Sequence, residues 1–138
     1  MAGYSGTPLA KKLGIKDGFR VLLLHVPDEV RTELRNALMK CQRETGASGD
    51  LDFIFLFAKS QTVLRVELSP AAMSLAPAGM LWISRPKKSS GVPTDLTEDV
   101  IRRSGLAAGL VDVKVCAVTE VWSGLKFVIP VRNRPKQK

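Results

Sequence analysis

The stretch Phe53-Ile54-Phe55-Leu56-Phe57-Ala58 is the most apolar in the chain. An unbroken apolar run of this length marks a strand buried on both faces, as the strands of parallel sheets are. It reads as the central strand. Arg20-Val21-Leu22-Leu23-Leu24-His25-Val26 is a second run of this kind, ended by Pro27, and Gly79-Met80-Leu81-Trp82-Ile83-Ser84 is a third. Between the first and central strands Asp28 is placed to cap a helix, with Glu29 and Glu33 favourable to its dipole. Val30, Leu34, Ala37, Leu38 and Cys41 recur there at helical spacing. Gly46-Ala47-Ser48-Gly49 reads as a loop. After the central strand, Ser60 caps a short helix to about Leu68. Ser69-Pro70 is expected to restart a second one, because proline removes a hydrogen bond from a helix interior. Thr97 caps a last helix, which Ser104-Gly105 is expected to end.

Residues 111–117 alternate, with Val111, Val113 and Val115 on one face and Asp112 and Lys114 on the other. Trp122-Ser123-Gly124 reads as a tight connection to a final strand at 125–129. The order βαβαβαββ demands right-handed crossovers and a parallel sheet. The last two strands are too close for a crossover and should form an antiparallel hairpin. The expected fold is a Rossmann-like three-layer α/β domain. Its sheet is mostly parallel, of about five strands, with a C-terminal antiparallel hairpin strand. One domain is expected over 1–138, with an N-terminal arm (1–19) and a basic tail (132–138).

The chain has 138 residues, 45% of them hydrophobic, enough for one core. Its net charge is +8, which suits nucleic acid, acidic lipid or an acidic partner. Much of that charge lies near the ends, in Lys11, Lys12 and Lys16 and in Arg132, Arg134, Lys136 and Lys138, where it reads as solvating. Cys41 and Cys116 are far apart and in no metal-type spacing, so they read as small buried hydrophobes in a reducing cytoplasm. The first residues show no signal-type apolar core, and no apolar run reaches the ~18 residues of a membrane span. A cytoplasmic protein, monomer or homodimer, is expected.

Three signatures resemble a known family. They are Gly3-Tyr4-Ser5-Gly6-Thr7-Pro8-Leu9-Ala10-Lys11-Lys12-Leu13-Gly14-Ile15; residues 82–88 (WISRPKK) with Ser89, Thr94 and Asp95; and residues 110–128 (LVDVKVCAVTEVWSGLKFV). Together they resemble the bacterial family of domains of unknown function DUF3052. The resemblance implies a one-domain bacterial cytoplasmic protein and adds no chemistry. The element order is also similar, more loosely, to that of Rossmann-like methyltransferases, and fold order does not carry function.

A nucleotide or S-adenosylmethionine cradle needs glycines after the first strand, so that backbone N–H groups approach the ligand. Here that turn is His25-Val26-Pro27-Asp28-Glu29, with no glycine, one proline and two carboxylates. One histidine and two distant cysteines make no zinc set, and no cofactor is assigned. His25 lies at the carboxyl end of the first strand, where open α/β sheets place ligands. The simpler reading is a partly buried, hydrogen-bonded histidine. Arg85, Lys87 and Lys88, followed by Ser89, Ser90 and Gly91, leave the same edge and make the strongest anion-site candidate, with Thr94 and Asp95 placed to orient the lysines. A solvated basic loop is the plainer alternative. Trp122 and Lys126, in the terminal hairpin, are candidate partner contacts, although edge lysines usually guard against unwanted pairing.

The leading expectation is a non-catalytic domain that binds an anionic small molecule or acidic protein through residues 85–91. The alternative is an S-adenosylmethionine-dependent methyltransferase-like enzyme or degenerate relative. The third is weak nucleic-acid binding.

Overall fold

A computed structural model describes residues 7–134. The signature residues Gly3 to Gly6 and the tail residues Lys136 and Lys138 lie outside the described residues. The helix α1 (Leu9–Leu13) leads into β1 (Arg20–Leu24), α2 (Asp28–Glu33) and α3 (Arg35–Leu38). Next come β2 (Gln42–Glu44), β3 (Leu51–Phe57), α4 (Gln61–Met73) and β4 (Leu75–Pro86). A 3-10 turn (Lys88–Ser90), α5 (Glu98–Ala107), β5 (Val111–Ala117), β6 (Trp122–Val128) and a last 3-10 turn (Val131–Asn133) follow.

The strands form one six-stranded sheet in the order β2-β1-β3-β4-β6-β5. Pairings from β2 to β4 are parallel, while β6 runs antiparallel to both β4 and β5. The sheet therefore matches the expected type, with one strand more. The extra strand, β2, is three residues long and mostly exposed, so it carries no apolar run to announce it.

The alternation in β3 separates two cores. Ile54 and Leu56 face α4 and α5, where Leu64, Leu68, Ala71 and Ile101 cover them. Phe53, Phe55 and Phe57 face α1, α2 and α3, with Leu9, Leu13, Val30, Leu34 and Leu38. Three layers result. Trp82 is wholly buried in the second core and donates from Nε1 to the Leu13 carbonyl at 3.0 Å. That bond fastens α1 to the sheet.

Several local expectations are corrected. Asp28 is the first residue of α2 and not its cap; extended Pro27 precedes it, and the Pro27 carbonyl accepts from Val30 and Arg31 N–H. The helix then breaks at Leu34 (φ −91°, ψ 0°) into α2 and α3. α4 does not restart at Pro70. It runs through, because Pro70 lies on the exposed side while Leu68 and Ala71 anchor the buried side. α5 does not stop at Ser104-Gly105, since Gly105 is a buried mid-helix residue against Phe127.

In β5 the register shifts between Asp112 and Lys114, leaving Val113 as a bulge. The bulge moves Asp112 and Lys114 to opposite faces. Asp112 reaches Arg102 on α5, and Lys114 Nζ donates to the Lys12 carbonyl on α1. Val113 and Val115 are consequently exposed. Among the described residues, no helix is long and apolar enough to cross a membrane.

Candidate functional site

The strand order reverses between β1 and β3. From β1 the chain goes to β2 on one side and then to β3 on the other. Open α/β sheets bind ligands at the carboxyl edge of such a switch point. A cleft of about 480 Å³ lies there, lined by His25, Pro27, Phe57, Lys59, Val63 and Trp122, with Ala58 between Phe57 and Lys59. That volume falls in the range that small-molecule sites occupy.

Each lining residue is placed by the fold. His25 follows β1 directly and has φ +60°, the left-handed region that histidine, asparagine and aspartate enter more readily than most side chains. The tight turn that dinucleotide sheets make with glycine is thus kept without one. The His25 side chain is half exposed, and its Nε2 lies 2.6 Å from Oε2 of Glu67 on α4. His25 is thus hydrogen-bonded, as expected, with about half of its side chain exposed. Phe57 and Trp122 form one wall, edge to face, with centroids 4.9 Å apart.

Trp122 does not sit in the hairpin turn. The turn is formed by residues 118–121, in which Thr119 Oγ1 accepts from the N–H of Val121 and Trp122. Trp122 begins β6 and is 7% exposed, so the expectation of an aromatic on an open turn is corrected. Lys126 is half buried, paired in register with Trp82 on one side and Lys114 on the other. Burial first, and the Lys114 charge second, lower its pKa.

The basic loop is disposed differently from its reading. Arg85 lies with Ile83, Glu98 and Val115 on the α5 side of the sheet and does not line the cleft. Lys87 leaves β4 next to Trp122, its N–H donating to the Val121 carbonyl at 2.6 Å, and Lys88 and Ser89 are exposed. Ser90 Oγ is used internally, donating to the Lys87 carbonyl and accepting from Val92 N–H. Thr94 and Asp95 do not orient Lys87 or Lys88. Thr94 Oγ1 donates to the Lys59 carbonyl at 2.7 Å, and Asp95 Oδ1 accepts from Gln61 N–H at 2.8 Å. The lysine whose backbone Thr94 holds is Lys59, which lines the cleft and was not singled out from sequence. Its signal was its place, one residue beyond the apolar run 53–58 and one before the Ser60 cap. Among the described residues Lys59, Lys87 and Lys88 have no ion-pair partner.

The orthodox phosphate and ribose contacts are otherwise engaged. Asp28 and Glu29 occupy the first turn of α2. Glu44, the acid at the end of β2, is held by Arg20 Nε at 3.4 Å and is not part of the cleft. Among the described residues no three His, Cys, Asp or Glu side chains cluster as metal ligands would.

A family profile described as Protein of unknown function (DUF3052) matches residues 10–131. No curated protein sequence matches. Solved structures do. A SAM-dependent methyltransferase from Aquifex aeolicus is similar with a TM-score of 0.59 and 14% identity, covering 88% of each chain. A TehB-like SAM-dependent methyltransferase from Corynebacterium glutamicum gives 0.57 at 10% identity, covering 94% of this chain and 91% of its own. The magnesium protoporphyrin IX methyltransferase of Synechocystis, solved with bound SAM, gives 0.57 at 12% identity over 88% of this chain and 74% of its own. At these identities the shared property is the fold.

Proposed function

The chain belongs to the DUF3052 family, and we propose that it binds a small anionic ligand with a flat apolar body, of the nucleoside phosphate class, in the cleft between β1 and β3. The observation that carries this reading is the make-up of the cleft. Phe57, Trp122, Pro27 and Val63 line it with apolar and aromatic groups, and among the described residues Lys59 beside them has no carboxylate partner. An apolar body gains from contact with such a floor, of which Phe57 and Trp122 are nearly buried. An anionic group gains from an ammonium that is not already paired. Lys87 and Lys88 add positive charge to the same edge. This reading puts the site one strand inward from the loop at 85–91, in the cleft.

The second reading is S-adenosylmethionine binding with methyl transfer. The similarity to SAM-dependent methyltransferases favours it. Against it stand the glycine-free first loop and the occupied Glu44. Calorimetric titration with adenosine monophosphate, adenosine and S-adenosylmethionine separates the readings. The nucleotide should bind most tightly.

A further inference from the structure

We propose that the groove between α2–α3 and the edge strand β2 is a second, separate site that takes phosphate groups through Arg31, Arg35 and Arg43. The groove encloses about 470 Å³, and these three arginines line it with Leu38, Met39 and Cys41. Among the described residues no carboxylate lines it. Arg31 and Arg35 are four residues apart across the Leu34 break, which brings both to one side of the paired helices. Arg43 pairs in register with Val21, whose side chain lies in the core under α2 and α3. Strand alternation therefore points Arg43 at the same helices.

These arginines differ from others in the chain. Arg102 is spent on Glu98, Asp99 and Asp112, and Arg20 on Glu44. Among the described residues the Arg35 and Arg43 side chains make neither hydrogen bond nor ion pair, and the Arg31 side chain uses only Nε, on the Val26 carbonyl at 3.2 Å. Three like charges around an apolar floor repel one another, and a multiply charged anion reverses the sign of that energy. Planar guanidinium forks match phosphate oxygens in pairs. Cys41 adds no negative charge, because burial, and then the Asp17 carboxylate, raise its thiol pKa. Among the described residues no aromatic side chain lines the groove, so these residues offer bases nothing to stack on and recognise the phosphate itself.

The phosphate can come from a free polyphosphate compound or from a nucleic-acid backbone, and two probes distinguish them. A fluorescent oligodeoxythymidine of about 12 nucleotides is titrated by anisotropy at several salt concentrations, alone and against sodium tripolyphosphate at matched ionic strength. The full chain is compared with Arg35→Ala/Arg43→Ala and, as a charge-matched control, Arg132→Ala/Arg134→Ala. Both groove positions are exposed, so thermal melting should show an intact fold. The groove variant should lose about tenfold in affinity, and its salt slope should fall by about 1 to 2. Displacement of the oligonucleotide by tripolyphosphate assigns the site to small polyphosphates. Retention assigns it to nucleic acid. If the groove variant loses no more affinity for either probe than the tail variant does, the site is overturned.

Discussion

Phe127 lies so close to Gly105 that a Cβ on the glycine would fall 2.1 Å from Phe127 Cε2. The glycine is what lets α5 settle onto β6 over a wholly buried ring. Gly105→Ala gains about 1 kcal/mol in helix propensity, but overpacking costs about 1–3 kcal/mol and more where the neighbour cannot yield. Phe127 is enclosed, so the substitution should destabilise by about 2 kcal/mol in urea unfolding. The double change Gly105→Ala/Phe127→Leu should recover part of that loss.

The start of α4 is capped twice. Ser60 Oγ accepts from Val63 N–H, and Asp95 Oδ1, from across the chain, accepts from Gln61 N–H. Ser60→Ala and Asp95→Ala should each cost about 1 kcal/mol. They serve different donors, so the double variant should lose about the sum. Chemical denaturation of the three variants measures this.

These two relationships also show where sequence reading stops. Burial periodicity located the apolar strands and the sheet type, because a run such as residues 53–58 can only be buried on both faces. Ser60 and Thr97 were legible as caps because the bond each makes is local. Asp95 on Gln61, thirty-four residues apart, was not legible. Gly105 carries the composition of a helix stop, and only the position of Phe127 turns it into a packing residue. The bulge at Val113 likewise has no composition of its own, yet it reverses which face Lys114 occupies. For the cleft, His25 and Trp122 were named from sequence. Phe57, Val63 and Pro27 were read only as strand, helix or strand-end residues and Lys59 was not read at all, since the switch point that gathers them is a property of strand order.

Lys126 should make stability depend on alkaline pH. Its folded pKa lies below the ordinary 10.5, through burial and the Lys114 charge. Below the folded value both states hold the proton, and the folded state bears the full cost of the charge. Between the folded value and 10.5 the unfolded chain binds more protons, so stability rises with pH. Lys126→Met should therefore stabilise the protein at pH 7, and the advantage should shrink to nothing above about pH 10.5. Melting curves of both proteins across that window test the sign.

The two tryptophans offer a reporter for the cleft. Trp122 lines it, while Trp82 is wholly buried and bonded to Leu13. A bound nucleotide should change the emission of Trp122 and leave Trp82 unaffected. The response should survive Trp82→Phe and vanish in Trp122→Phe. Survival in Trp122→Phe would place the ligand elsewhere.

The decisive measurement is a calorimetric titration of the parent and Lys59→Ala with adenosine monophosphate, adenosine and S-adenosylmethionine. The parent should bind the monophosphate more tightly than either other compound. Lys59→Ala should weaken the monophosphate by about tenfold, roughly 1.4 kcal/mol, and leave adenosine unchanged. Tighter binding of S-adenosylmethionine than of the monophosphate, strengthened further when Lys59 is removed, would contradict an anion-binding cleft and restore the methyltransferase reading.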